Sequence, residues 1–125
     1  MITFDFSGRV ALVTGGSSGI GKAASVLFAQ HGAKVVIGDV NPAGVETVEM
    51  IKRGQGEAIF VQTDVSVADQ VKNLVAAAVA TYGGLHYAFN NAGVLPATSL
   101  LADTDESTFD KIIAVDVKGV FLAMK

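Results

Sequence analysis

The chain has 125 residues, of which 50% are hydrophobic and 17% charged, with a net charge of −3. This length predicts one domain over residues 1–125. The acidic balance argues against nucleic acid as a partner, and the absence of cysteine excludes disulfides and thiolate metal sites. The first nine residues carry Asp5 and no apolar signal-peptide core, and no apolar run reaches membrane-spanning length. We therefore expect a soluble, cytoplasmic protein.

Short apolar runs alternate with helical patterns along the whole chain. Strands are predicted at Val10–Val13, Lys34–Gly38, Glu57–Gln62 and Leu85–Phe89. Helices are predicted at Ser18–His31, from Pro42 to about Arg53, from Ser66 to about Tyr82, and from Asp105 towards the C-terminus. This alternation predicts right-handed crossovers and a parallel sheet. The high apolar content suggests strands buried on both faces, or a surface covered by something else.

Residues typical of helix ends support these boundaries. Gly32 is placed to end the first helix, and Asn41 followed by Pro42 is typical of a helix start. Ser66 and Asp69 resemble a capping box at the start of the third helix. Thr104 is a candidate cap for the last helix.

A glycine-rich loop, Thr14–Gly21, connects the first strand to the first helix. Its spacing is Gly15-x-x-x-Gly19-x-Gly21, in which Gly15 permits a sharp turn, Gly19 a close approach of phosphates and Gly21 close helix packing. Backbone N–H groups at a helix start favour a negatively charged pyrophosphate. A serine- and glycine-rich turn without a ligand is the alternative. The cofactor-binding residues predicted here are Gly15, Ser17, Ser18, Gly19, Ile20 and Gly21.

Asp39 ends the second strand, at about the distance past the glycines where a ribose-binding acid is expected. A carboxylate there accepts hydrogen bonds from the adenosine ribose hydroxyls and repels a 2′-phosphate. The neighbouring candidates for an offsetting cation, Ser18 and Val40, are uncharged. These residues favour NAD over NADP, and a plain turn aspartate is the alternative.

Four motifs together resemble the classical short-chain dehydrogenase/reductase family: Thr14–Gly21, Asp64-Val65, Asn90-Asn91-Ala92-Gly93 and Val115–Gly119. The resemblance runs from Phe6 to Lys125. It implies an α/β Rossmann-type parallel sheet of order 3-2-1-4 with helices on both faces, which stops after the helix that follows strand four. The chain would then be the NAD-binding half of the fold.

The resemblance also implies roles for single residues. Asp64 would bond the adenine amino group and Val65 would line the adenine pocket. Asn90 and Asn91 would brace the central sheet and touch the cofactor ribose, while Ala92 and Gly93 would let the backbone approach the cofactor. An ordinary turn is the alternative for this last group.

The family's catalytic Ser and Tyr-x-x-x-Lys would lie beyond this chain, because Tyr82 is followed four residues later by His86 and Tyr87 by Asn91. Asp116 stands where the family has a catalytic Asn that helps to hold a water. It is the one catalytic candidate, with a solvent-facing aspartate as the alternative. No histidine pairs with an acid at metal-ligand spacing, so no metal site is predicted.

The function implied is NAD(H)-dependent hydride transfer between nicotinamide and a secondary alcohol or ketone. The alternative is a non-catalytic nucleotide-binding or protein-interaction module. The chain alone is expected to be inactive, as a truncated enzyme, a short gene product or one half of a two-chain protein. Self-association is expected through the last helix and the open sheet edge, because Val115, Val117, Val120, Phe121 and Leu122 present apolar surface.

Overall fold

A computed structural model describes residues 1–125. Four parallel strands form one sheet of order β3-β2-β1-β4. The predicted fold class, a parallel sheet of order 3-2-1-4, is thereby confirmed. The strands are β1 (Val10–Thr14), β2 (Lys34–Asp39), β3 (Glu57–Gln62) and β4 (Tyr87–Asn90).

Five α-helices accompany the sheet: α1 (Gly19–Gln30), α2 (Gly44–Arg53), α3 (Ala68–Tyr82), α4 (Glu106–Ile112) and α5 (Gly119–Met124). A wide π-type turn, Ile113–Lys118, joins α4 to α5, and a 3₁₀ turn, Leu101–Asp103, precedes α4. No helix is long and apolar enough to cross a membrane.

The core lies on both faces of β1 and β2, which are the two inner strands. Every residue of β1 is buried. Alternate residues of these strands join one apolar cluster with α1 and α2, and the others join a second cluster with α3. Burial on both faces explains why β1 and β2 are almost continuously apolar.

The first two helices begin and end close to the predicted residues. Gly32 adopts a left-handed backbone (φ +94°) just after α1, as expected of a residue that ends a helix. The Asn41 side chain accepts the N–H of Ala43 at 2.9 Å, but the residue that directly precedes α2 is Ala43, so the predicted cap at Asn41 lies two residues too early. The α-helical bonds begin only at Gly44, because a tighter turn, with the Gly44 N–H bonded to the Asn41 carbonyl, comes first.

Two further predicted caps are wrong. The Ser66 hydroxyl bonds the Asp64 carboxylate at 2.6 Å instead of capping, and α3 begins after Val67. The Thr104 hydroxyl donates to the Leu100 carbonyl, so Asp105 is the residue that precedes α4. In both cases the side chain finds a closer partner on its N-terminal side than the helix start offers.

Strand β4 begins at Tyr87, two residues later than predicted. His86 lies before the strand, where its ring Nδ1 accepts the N–H of Val10 at 2.9 Å. The His86 side chain therefore fills a bonding position beside β1 that a strand residue's backbone would otherwise take.

Candidate functional site

A cleft of about 670 Å³ opens at the carboxyl ends of the strands. Ligands of open parallel sheets bind at this edge. Six of the predicted loop and strand-end residues are brought together there by the first three strands: Gly15, Ser18, Gly19, Ile20, Asp39 and Asp64. Val65, Asn91, Ala92 and Gly93 also line the cleft.

The glycine loop forms one wall, and its glycines have different surroundings. A Cβ added at Gly21 would overlap the Gly15 carbonyl, and one at Gly15 would lie 3.0 Å from Ala92 Cα. At Gly19, by contrast, a Cβ would meet nothing within 4 Å, and φ is +52°. Gly15 and Gly21 thus allow close packing, whereas Gly19 leaves open space beside the start of α1.

The start of α1 offers hydrogen-bond donors to this space. The backbone N–H groups of Ser18, Gly19 and Ile20 have no acceptor within the chain. No acidic side chain lies in the first turn of α1. Unpaired donors at the positive end of a helix dipole suit an anionic group such as a diphosphate.

Asp39 lies at the end of β2, across from the glycine loop. Its Oδ2 accepts the N–H of Ser17 at 3.0 Å, and its Oδ1 accepts the N–H of Asn41 at 3.0 Å. Each carboxylate oxygen has capacity for a further bond. Val40 next to it is exposed and uncharged, and no cation of the chain pairs with this carboxylate.

Ser17 and Gly21 do not line the cleft. Ser17 is buried and donates its hydroxyl to the Asn41 carbonyl at 3.0 Å. Both residues belong to the glycine loop and contribute to its packing rather than to the lining of the cleft.

The end of β4 is tied to the end of β1 through Thr14. The Thr14 hydroxyl accepts the N–H groups of Asn91 and Ala92, both at 3.1 Å, and the Asn91 amide donates to the Thr14 carbonyl at 3.2 Å. Asn91 thus braces the sheet, as the resemblance implies. The side-chain oxygen of Asn90 is buried without a partner, so no bracing bond from Asn90 is seen.

Asp116 lies in the π-type turn and does not line the cleft. Its Oδ1 accepts the N–H of Val94 at 2.7 Å. This bond fastens the segment after β4 to the π-type turn between α4 and α5. Asp116 is half-buried and is not the solvent-facing aspartate of the alternative interpretation.

Several lining residues were not predicted. Val40, Thr63, Val94, Lys111 and Val115 complete the wall of the cleft. Lys111 also borders a neighbouring cavity of about 410 Å³ with Leu95 and Pro96. Val40, Thr63 and Val94 reach the cleft because they follow the ends of β2, β3 and β4, whereas Lys111 lies on α4 and Val115 in the turn after it.

The parallel sheet, the glycine loop and the strand-end aspartate together define a dinucleotide-binding protein of Rossmann type. The family model for short chain dehydrogenase matches residues 9–125. The chain belongs to the short-chain dehydrogenase family, which confirms the predicted family.

Individual relatives agree with this assignment. An uncharacterized oxidoreductase of Thermotoga maritima is 48% identical over 122 residues, which are 97% of this chain and 47% of that protein. Secoisolariciresinol dehydrogenase of Forsythia intermedia is 45% identical over 94% of this chain and 43% of its own length. The chain therefore spans less than half the length of these relatives.

Solved structures share the fold. A short-chain dehydrogenase/reductase from Burkholderia phymatum, crystallised in complex with NAD, superposes with a TM-score of 0.92 at 36% identity. That match covers 98% of this chain and 43% of the Burkholderia chain. A short chain dehydrogenase from Mycobacterium avium matches with a TM-score of 0.92 at 38% identity, over 95% of this chain and 44% of its own.

Proposed function

We propose that this chain is the NAD(H)-binding part of an oxidoreductase that transfers hydride between nicotinamide and a secondary alcohol or ketone. The observation that carries the proposal is a single cleft lined both by residues with unpaired N–H groups at the start of α1 and by Asp39. One feature suits a diphosphate and the other suits ribose hydroxyls. The Burkholderia relative that binds NAD supports the same cofactor.

Residues of the cleft can be assigned to parts of the cofactor. We propose that Ser18, Gly19 and Ile20 hold the diphosphate, and that Asp39 accepts hydrogen bonds from the adenosine ribose. The pair Asp64-Val65 would contact the adenine. Asn91, Ala92 and Gly93 would lie along the ribose on the β4 side.

The nicotinamide would accept hydride from an alcohol or donate it to a ketone, and the protein would supply position and electrostatics. Within this chain the bond from Asp116 to the Val94 N–H holds the wall of the cleft in place. The proposed role of Asp116 is proton relay, because it takes the place of the family's catalytic Asn. In the whole protein, Asp116→Asn should keep the bond to Val94 and change the pH profile of kcat, whereas Asp116→Ala should also lose the bond.

The residues needed to use the cofactor are absent from positions 1–125, because no Tyr-x-x-x-Lys occurs there. We therefore propose that this chain alone binds NAD weakly at most and has no turnover. Dehydrogenase activity from the pure 125-residue chain would contradict the proposal.

The preference for NAD over NADP can be tested by calorimetry. Asp39 should repel a 2′-phosphate, and no cationic side chain forms an ion pair with its carboxylate. We expect wild type to bind NAD at least tenfold more tightly than NADP, and Asp39→Ser with Val40→Arg to narrow or reverse this ratio. Glu49→Gln, which removes one exposed negative charge on α2, is the matched control and should leave the ratio unchanged. Equal affinities of wild type for the two cofactors would refute the assignment.

An interaction role has one observation in its favour, a line of exposed apolar side chains along the C-terminal helical segment, which runs from α4 through the π-type turn to α5. They are Phe109, Ile113, Val117, Phe121 and Met124. We propose self-association through this surface, in addition to cofactor binding.

A further inference from the structure

The peptide group between Gly16 and Ser17 is held at both ends by side chains from another part of the chain. The Thr47 hydroxyl of α2 donates to the Gly16 carbonyl at 2.9 Å, and Asp39 Oδ2 accepts the Ser17 N–H at 3.0 Å. We call this arrangement the peptide clamp. It ties the glycine loop to the segment from β2 to α2.

The bond to Gly16 is the one polar interaction of the Thr47 side chain. Thr47 is fully buried on the inner face of α2, and Gly16 is the only hydrogen-bond partner of its hydroxyl. It does not line the cleft, so it cannot touch a ligand there. Burial of a hydroxyl is unfavourable unless it forms a hydrogen bond, and the Thr47 hydroxyl forms its bond with the glycine loop.

Close packing at Gly16 leaves the glycine loop no room to move towards β2 and α1. A Cβ added at Gly16 would lie 2.6 Å from the Ile37 side chain and 3.2 Å from the Ser25 hydroxyl. The loop is therefore pressed against β2 and α1, and the peptide clamp fixes the rotation of its central peptide group.

Fixing that peptide group determines where the next donors point. The N–H groups of Ser18 and Gly19 follow directly in the chain and remain unpaired at the cleft. We infer that Thr47 is a positioning residue for the diphosphate, acting through the Gly16 carbonyl. The inference rests on the proposed function of the cleft. It also gives Asp39 a second task, since its carboxylate orients the loop in addition to facing the ribose.

The test compares Thr47→Val, which keeps the shape and removes the hydroxyl, with Thr47→Ser, which keeps the hydroxyl. Each variant is titrated with ADP and with adenosine, which lacks the diphosphate. We expect Thr47→Val to weaken ADP binding about fivefold, the size of one lost hydrogen bond. Adenosine binding should be unchanged, and Thr47→Ser should bind ADP as wild type does.

A control separates positioning from lost stability. Ile51→Val removes one methylene from the buried face of the same helix without touching the glycine loop. It should lower the melting temperature and leave the ratio of ADP to adenosine affinity unchanged. An equal loss for ADP and adenosine in Thr47→Val, or no loss for either, would overturn the inference.

Hydrogen exchange of the ligand-free protein tests the peptide clamp without any nucleotide. The Ser17 amide should exchange faster in Thr47→Val than in wild type or Ile51→Val, because the clamped peptide group is released. Unchanged exchange would overturn the inference even if the cleft binds NAD. Failure of wild type to bind ADP, with faster Ser17 exchange in the variant, would instead overturn the proposed function and leave the peptide clamp in place.

Discussion

Gly21 and Gly19 differ in what surrounds them, although both belong to the glycine loop. Gly21 packs on the Gly15 carbonyl and the Asn91 amide nitrogen, whereas Gly19 borders open space. A side chain at Gly21 would therefore disturb the folded backbone itself. At Gly19 the same change would strain a left-handed residue and intrude on the space that a ligand would fill.

Gly21→Ala is expected to destabilise the protein by about 1–3 kcal/mol, because its Cβ overlaps backbone atoms that cannot rotate away. Urea unfolding measures this loss. Gly84→Ala is the matched control, since a Cβ there would meet only His86 at 3.8 Å. Equal stability of the two variants would show that the loop is looser than described.

The environment of Tyr82 predicts that the stability of the protein depends on pH. Burial raises the pKa of its phenol, and the carboxylate of Glu57 raises that pKa further. The folded protein therefore favours the neutral phenol. The contribution of Tyr82 to the free energy of unfolding is complete below the ordinary pKa of about 10, and it is lost as pH rises through the higher pKa of the folded state. We expect the stability difference between wild type and Tyr82→Phe to fall as pH rises above 10.

Denaturant unfolding at a series of pH values between 8 and about 11 checks this prediction. Glu57→Gln should move the midpoint of the change to lower pH, because it removes one of the two causes of the raised pKa. A stability difference that does not vary with pH would contradict it.

At the scale of elements, α3 is held on its face of the sheet by a close fit between Leu74 and Gly38. Leu74 is 1% exposed, and a Cβ at Gly38 would lie 2.6 Å from its Cδ2. The absence of a side chain in β2 therefore makes the pocket that Leu74 fills. The last helix depends on a similar contact, because a Cβ at Gly119 would lie 2.6 Å from the Val65 side chain.

Leu74→Ala is expected to cost about 2–5 kcal/mol, because the rigid strands cannot close the space that it leaves. Val79→Ala on the same helix is the control, since Val79 is 51% exposed. Chemical denaturation of both variants measures the difference. A loss for Leu74→Ala no larger than for Val79→Ala would mean that α3 is not seated as described.

The elements differ in how far the sequence could predict them. The inner strands and the loop between β1 and α1 follow from local pattern, because burial on both faces and the glycine spacing are written in consecutive residues. The caps at Ser66 and Thr104 could not be predicted, since Asp64 and Leu100 compete for their hydroxyls. Thr47 carries no local signal either, because its partner lies 31 residues away.

For the whole molecule, the exposed apolar line along α4, the π-type turn and α5 predicts self-association. Phe121 is 61% exposed and Phe109 60%, which is unusual for aromatic side chains unless a partner covers them. Phe121→Glu should reduce association, because a buried unpaired carboxylate is unfavourable.

Sedimentation velocity over a range of protein concentrations measures the self-association of wild type and of Phe121→Glu. Leu27→Glu, at a 56% exposed position on α1, is the control and should associate like wild type. Association that is equally strong in Phe121→Glu and wild type would place the contact elsewhere.

The π-type turn between α4 and α5 affects which side chains share one side of the helical segment from α4 to α5. A turn of this kind takes up one more residue than an α-turn. Phe109, Ile113, Val117 and Phe121 recur every four residues, a spacing that drifts sideways around a regular α-helix. The extra residue offsets part of that drift and keeps the line straighter. In a regular α-helix the twelve steps of about 100° from Phe109 to Phe121 would place the two side chains about 120° apart around the axis, so the wide turn brings them towards one side of the helical segment.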